Sequence, residues 1–285
     1  MKLKVSHTTS YKYPKKIFLE PHYLNFKPLP RPYYQLEKFN LTIIPEPTGI
    51  SERVSLENNQ AFQIWQNEMT DNLFIKVDII LSIRNEEYKP LEFIVDPYNK
   101  METSGFKYPE YIGTYLDPFL QVKESDALKS YIRKAFEKKD KEIVAGLFEL
   151  LENINHDWEH KRVEGEADPD AEECFQSKSG SCRDLAWMLI SMLRMEGLAS
   201  RFVSGYTYNK ELDTGHELHA WVEVFLPGAG WVGLDPSLGL FTHQYYIPVA
   251  TSFHPSHTMP VIGVYRGEVE SKMATSLNIR PIGYI

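Results

Sequence analysis

The hydrophobic residues of this chain change their period once along the sequence, and that change restricts the available folds more than any other feature. Up to about residue 115, apolar and aromatic side chains recur at every second position. Leu3, Val5, His7, Thr9, Tyr11 and Tyr13 form one such row, Phe39, Leu41 and Ile43 another. Ile75, Val77, Ile79, Leu81 and Ile83 form the cleanest, set against Lys76, Asp78, Ser82 and Arg84. Successive side chains of a strand face opposite sides of a sheet, so these rows describe half-buried strands. The segments between them, such as "PHYLNFKPLPRP" and "IPEPTG", are dense in proline, which suits turns and edges and excludes helix.

From Asp117 the apolar positions recur at helical spacing, first over 125–136 and then over 141–158. In the second run Ile143, Leu147, Leu150, Leu151, Ile154 and Trp158 line one stripe. A polar loop, "EGEADPDAEE", leads to a third helix that begins at Cys182. Strand patterns then return over 201–208, 218–226, 231–235, 261–265 and 274–279. This order predicts an α+β chain: a β-rich N-terminal domain over 1–115, and a second domain over 116–285 that includes the C-terminal strands. With 285 residues, 42% of them hydrophobic, both units have material for a core.

Charge removes other readings. The formal net charge of −8 is spread over short clusters of mixed sign, with no basic stripe to neutralise phosphates, so nucleic acid is not an expected partner. The N-terminus has no apolar leader core, and the most apolar helix runs at once into Arg194 and Glu196, so no membrane partner is expected. Two cysteines cannot build a disulfide framework, and a reactive thiol needs a reducing compartment; a cytoplasmic location is the expectation.

The position of Cys182 is the chemical clue. It follows Ser179-Gly180-Ser181, in which either serine can cap a helix, and Gly197 suits the helix end. Leu185, Met188, Leu189, Met192 and Leu193 form the apolar face, with Cys182 at the N-terminal end of the same stripe. Free N–H groups and the helix dipole at that end favour a thiolate over a thiol, and the same N–H groups can hold an oxyanion. Gln176 and Trp158 are candidates for a second oxyanion donor. Cys174 is expected to pack.

A thiolate nucleophile requires a base, and the base an orienting acid. "ELHAWVEVFLPGAGWVGLDPS" reads as a β-hairpin with His219 on its first strand and Asp235 at the end of its second. Both must face the same side. A four-residue loop pairing Leu226 with Trp231 would put them on opposite sides, so the reading requires a three- or five-residue loop, or a bulge.

The run "GSCRDLAWMLISMLRMEGLASRFVSGY" followed by "HAWVEVFLPGAGWVGLDPS" resembles the transglutaminase-like superfamily, in its bacterial cysteine-protease branch. "SHTTSYKY" and "LFIKVDIILSI" resemble the β-rich N-terminal region of those proteins, although the Gly-Asn pair often found midway appears here only as "LENNQ". "IGVYRGEVESKMATSLNI" resembles their terminal strand pair. The resemblance implies a papain-like core in which a Cys-bearing helix packs on an antiparallel sheet, with Cys182 as nucleophile, His219 as base and Asp235 as orienting acid. It further implies a thiol-dependent peptidase or amidase that acts on a peptide or protein through a thioester and needs no cofactor.

Transglutaminase-type acyl transfer to an amine starts from the same thioester and stays open. So does a non-catalytic binding module built on the same fold. A metal site at His216-x-x-His219 or His254-x-x-His257 is the chemical rival, resting on spacing alone. A Cys174–Cys182 redox pair lacks the two-residue gap of such motifs. Arylamine acetyltransferases carry their cysteine much nearer the N-terminus.

Overall fold

Rows of alternating residues become strands here because each row can bury one side. The computed structural model describes residues 1–84, 89–95, 98, 100–102, 104–137, 142–161, 168–209 and 218–283. The first half contains β1 (Lys2–Leu19), β2 (His22–Leu24), β3 (Tyr34–Ile44), β4 (Gly49–Val54), β5 (Gln60–Trp65) and β6 (Thr70–Ile83). β6 lies between β1 and β3, antiparallel to both, with Val5 opposite Ile79 and His7 opposite Val77. The two apolar rows thus meet on one buried face, where Leu3, Val5, Ile75, Val77, Ile79 and Leu81 lose nearly all exposure.

The middle of the chain is helical: α1 (Glu110–Leu116), α2 (Asp126–Phe136), α3 (Ile143–Asp157), α4 (Ala171–Ser177) and α5 (Cys182–Met195). Two short strands, β7 (Glu159–His160) and β8 (Ser179–Gly180), pair in parallel just before α5. α4 falls where the sequence reads as loop. It is a seven-residue helix, too short to display a period, started by Asp170 accepting from the Glu172 and Glu173 N–H groups.

The second sheet runs β12-β11-β10-β9-β13 and comprises β9 (Ser200–Thr207), β10 (Leu218–Leu226), β11 (Gly230–Asp235), β12 (Leu240–Phe241) and β13 (Tyr246–Ser252). α5 packs on β9 and β10. Leu185, Met188, Leu189, Met192 and Leu193, the face read from spacing, join Ala220, Val222, Val224 and the inward stripe of α3 in one cluster. The architecture is therefore α+β, with the cysteine-bearing helix laid on an antiparallel sheet.

The C-terminal strands do not follow the division at 115/116. β14 (Val261–Ile262) pairs with β2, β15 (Tyr265–Arg266) with the end of β1, and β16 (Lys272–Ile282) with β1 from Lys2 to Lys12. β1 has two edges, and β6 satisfies only one; β16 takes the other and covers its unpaired N–H and C=O groups.

The two halves also share a core. Tyr206, Ile247 and Val249 from β9 and β13 are buried among the residues of the N-terminal sheet. Polar contacts cross the same junction at Arg31–Glu223 and His7–Tyr206, and Arg201, beside Glu223 in the second sheet, completes the first of them. Glu223 on β10 accepts from Arg31 at 2.7 Å and from Arg201 at 2.5 Å, and the His7 ring meets the Tyr206 hydroxyl at 3.1 Å.

Candidate active site

The N-terminus of α5 is built by a reciprocal cap. Ser181 Oγ accepts from the Asp184 N–H at 3.4 Å, while Asp184 Oδ2 accepts from the Ser181 N–H at 2.8 Å. Two of the helix's four unpaired donors are satisfied, and the chain's entry angle is set. Gly180 permits this closeness, because a Cβ there would stand 2.8 Å from Asp184 Cβ and 3.1 Å from Cys174 Sγ. Upstream, the Glu159 N–H donates to Lys178 O at 2.9 Å and the Lys161 N–H to Gly180 O at 2.8 Å. This short ladder fixes His160 beside the first turn of α5.

The hairpin satisfies the parity condition. Leu226 pairs with Gly230 across the three-residue loop 227–229, which turns through Gly228 at its middle and Gly230 just after it, at φ +90° and +74°. Continued, that register puts Asp235 on the same side of the sheet as His219, and the two meet with Nε2 and Oδ2 2.7 Å apart. The β10–β11 pairing stops at Val222–Leu234, which leaves the upstream part of β10 open on that edge. There the Cys182 sulfur lies against the His219 ring, the His160 ring and the Ala220 N–H. With Nε2 engaged by Asp235, Nδ1 is the ring nitrogen of His219 left for sulfur. The structure thus brings Cys182, His219 and Asp235 together.

Asp235 has no exposed surface. Its Oδ1 accepts from Ser237 N–H at 3.0 Å and Ser237 Oγ at 2.7 Å, and its Oδ2 from the Tyr246 hydroxyl at 2.7 Å as well as from His219. Burial alone would raise its pKa, but the His219 hydrogen bond and charge, followed by Ser237 and Tyr246, hold it below the ordinary carboxylate value. Burial likewise disfavours a charged His219, yet Asp235 and then Cys182 outweigh it and lift the imidazole to about 10. For Cys182, burial pushes the thiol up, and the hydrogen bonds from His160, His219 and Ala220, with the His219 charge, bring it down to about 6. Thiolate and imidazolium therefore coexist over a broad neutral range.

Two contributors escape the sequence reading. Tyr246 opens β13, on the opposite edge of the sheet from β12, and still reaches Asp235. His160 owes its place to a two-residue parallel pairing that leaves no periodic trace. Of the second-donor candidates, Trp158 is already committed, its indole N–H donating to Cys174 O at 2.9 Å. Gln176 is exposed on α4, and no hydrogen bond among the described residues links it to Cys182. Cys174 is buried and its thiol pushed up to about 12 by burial, then by the charges of Asp184 and Glu173. His254 and His257 sit in a 3-10 turn, bonded to Ser256 and Ser252. His216 lies outside the described residues. Among the described residues no helix is long and apolar enough to cross a membrane.

The α+β fold therefore sets a cysteine at a capped helix N-terminus against a histidine–aspartate pair on an antiparallel hairpin. Residues 127–236 match the transglutaminase-like superfamily, and residues 3–82 match the bacterial transglutaminase-like N-terminal region. The matched stretch 127–236, which holds Cys182, His219 and Asp235, is thus similar to the core of the transglutaminase-like superfamily. Its fold matches that of a candidate cysteine protease from Cytophaga hutchinsonii with a TM-score of 0.72, covering 100% of this chain and 92% of that one at 16% identity. An uncharacterized protein of Mycobacterium tuberculosis is 28% identical over 168 residues, 55% of this chain and 53% of that protein, so the chain spans about half its length. A protein-glutamine gamma-glutamyltransferase of Pseudomonas aeruginosa is 32% identical over 98 residues, 31% of this chain and 15% of that protein.

Proposed function

We propose that the protein is a thiol-dependent enzyme that cleaves an amide of a peptide or protein through a thioester on Cys182, with His219 as acid–base and Asp235 as its orienting group. The observation that carries this reading is the continuous line of contacts from the sulfur through the His219 ring to a buried carboxylate. The thiolate attacks the carbonyl carbon, and the π pair moves to oxygen. Collapse breaks the C–N bond as the imidazolium gives its proton to the leaving amine. Neutral His219 then takes a proton from the incoming nucleophile, which attacks the thioester and returns the sulfur as thiolate.

Water as that nucleophile gives hydrolysis, and a primary amine gives acyl transfer. Hydrolysis is our reading; the likeness to a gamma-glutamyltransferase supports acyl transfer as the alternative. A reducing, cytoplasmic setting belongs to the same proposal, since the nucleophile must remain a free thiol.

The test is incubation with a mixed peptide library, with and without an added primary amine, read by mass spectrometry. Hydrolysis yields shortened peptides in both arms, whereas acyl transfer yields amine adducts only in the second. Cys182→Ala should abolish the products and Cys174→Ala should spare them. Products that persist in Cys182→Ala would overturn the proposal.

A further inference from the structure

The cysteine touches a second imidazole that the triad does not use. His160 precedes Cys182 by a short stretch of chain and reaches its sulfur only because β7 and β8 pair in parallel immediately ahead of α5. We infer that His160 is the second oxyanion donor of the site, its ring N–H bonded to the Cys182 sulfur at rest and to the carbonyl oxygen in the tetrahedral intermediate. This rests on the thiol-enzyme reading above and adds to it a residue with a separate task.

Three features of the site separate His160 from a second base. His219 is held by a buried carboxylate, but among the described residues no carboxylate is hydrogen-bonded to the His160 ring. Among the described residues, the charged and titratable groups that face His160 are Cys182, His219 and Asp235, while on its own segment Glu159 pairs with Lys161 at 2.9 Å. Nothing in that set fixes a tautomer for proton abstraction. Second, His160 is exposed to solvent, whereas the His219 side chain is mostly covered. Third, the nearby indole that could have served instead is spent on Cys174 O.

The chemistry follows from the change of charge at sulfur. At rest the negative charge is on the thiolate, which His160 hydrogen-bonds, and the contact also draws the His160 pKa upward. When the S–C bond forms, the sulfur lone pair becomes the bond and the carbonyl π pair moves onto oxygen, two bonds from the sulfur. The charge leaves sulfur for that oxygen, and a donor already aimed at sulfur needs only a small shift to follow it. No proton moves to or from His160 in this step. The Cys182 backbone N–H, at the start of α5, is the other donor.

The experiment compares two reactions of the same sulfur. Acylation by p-nitrophenyl acetate passes through an oxyanion, whereas alkylation by iodoacetamide attacks a saturated carbon and forms none. In His160→Ala, acylation at neutral pH should fall about 10²–10³-fold, the usual loss for one oxyanion donor. Alkylation at the same pH should change by no more than a few-fold, because His219 still supports the thiolate. His160→Gln, which keeps an N–H donor, should recover part of the acylation rate. His160→Phe, a ring without the donor, repeats the comparison should His160→Ala fail to fold. Equal losses in both reactions would overturn the inference, since His160 would then serve only the thiolate, as would an undiminished acylation rate. Wild-type acylation that survives in Cys182→Ala would instead defeat the thiol-enzyme reading itself, whatever the His160 variants do.

Discussion

At Cys182 and His219 burial works against both charges, yet both groups are held charged, and the pair titrates as a unit. The cysteine lies below its ordinary value, so thiolate accumulates as pH rises through about 6. The histidine lies above its own, so imidazolium is lost only as pH rises through about 10. Turnover that needs both should rise on the acid limb, stay level between, and fall on the alkaline limb. Alkylation of Cys182 should follow the acid limb alone, and in His219→Ala that limb should move upward; a limb that stays in place would mean the pair does not exist. Asp235 acts one bond further out. Asp235→Asn keeps the size but offers the ring the wrong partner, and by the tautomer argument turnover should fall on the order of 10⁴-fold. Tyr246→Phe removes one of two donors to Asp235 Oδ2 and should cost about 1.5–3 kcal/mol of stability in urea unfolding, the usual worth of a hydrogen bond to a charged group.

Among the elements, α5 and its approach carry the site. The helix was legible from its apolar stripe and its serine–glycine lead, and Ser181 rather than Ser179 proves to be the cap. The hairpin was legible too, but its loop length was not: the same residues are compatible with loops of three, four or five. The choice falls to Gly228 and Gly230, whose positive φ closes a three-residue turn. Gly180 offers the test at this scale. Gly180→Val places bulk between Asp184 and Cys174, where the added atoms have nowhere to go. It should cost about 1–3 kcal/mol by overpacking and loosen the cap of α5. Thermal unfolding would register the first effect, and an upward move of the Cys182 alkylation limb the second.

For the molecule as a whole, the β-rich half and the helical half are bound through buried polar groups as well as apolar ones. His7 lies inside the junction, its ring bonded to the Tyr206 hydroxyl and to Thr275 Oγ1, and burial pushes its pKa down to about 4. An unfolded histidine titrates at about 6.5. Above that value neither state binds the proton and the stability is fully present. As pH falls from about 6.5 toward 4, the unfolded chain gains a proton that the folded one refuses, and stability is lost by about 3 kcal/mol in total. Urea unfolding at pH 7 and pH 4.5 should therefore show a smaller loss in His7→Gln than in wild type, by about 2–3 kcal/mol. Equal losses would place the acid sensitivity elsewhere.

What the sequence determined by itself was everything carried by local periodicity and capping: the rows of β1 and β6, the stripes of α3 and α5, the hairpin, and the three residue types that the site requires. Short elements escaped it. α4, β7 and β8 span too few residues to show a period, and so His160 stayed out of view. Long-range choices escaped it for another reason. The pairing of β16 with β1 and the burial of His7 against Tyr206 join residues far apart in the chain. Such contacts are selected by which edge remains unpaired and which face remains uncovered once the other elements have packed, and only the tertiary structure contains that information.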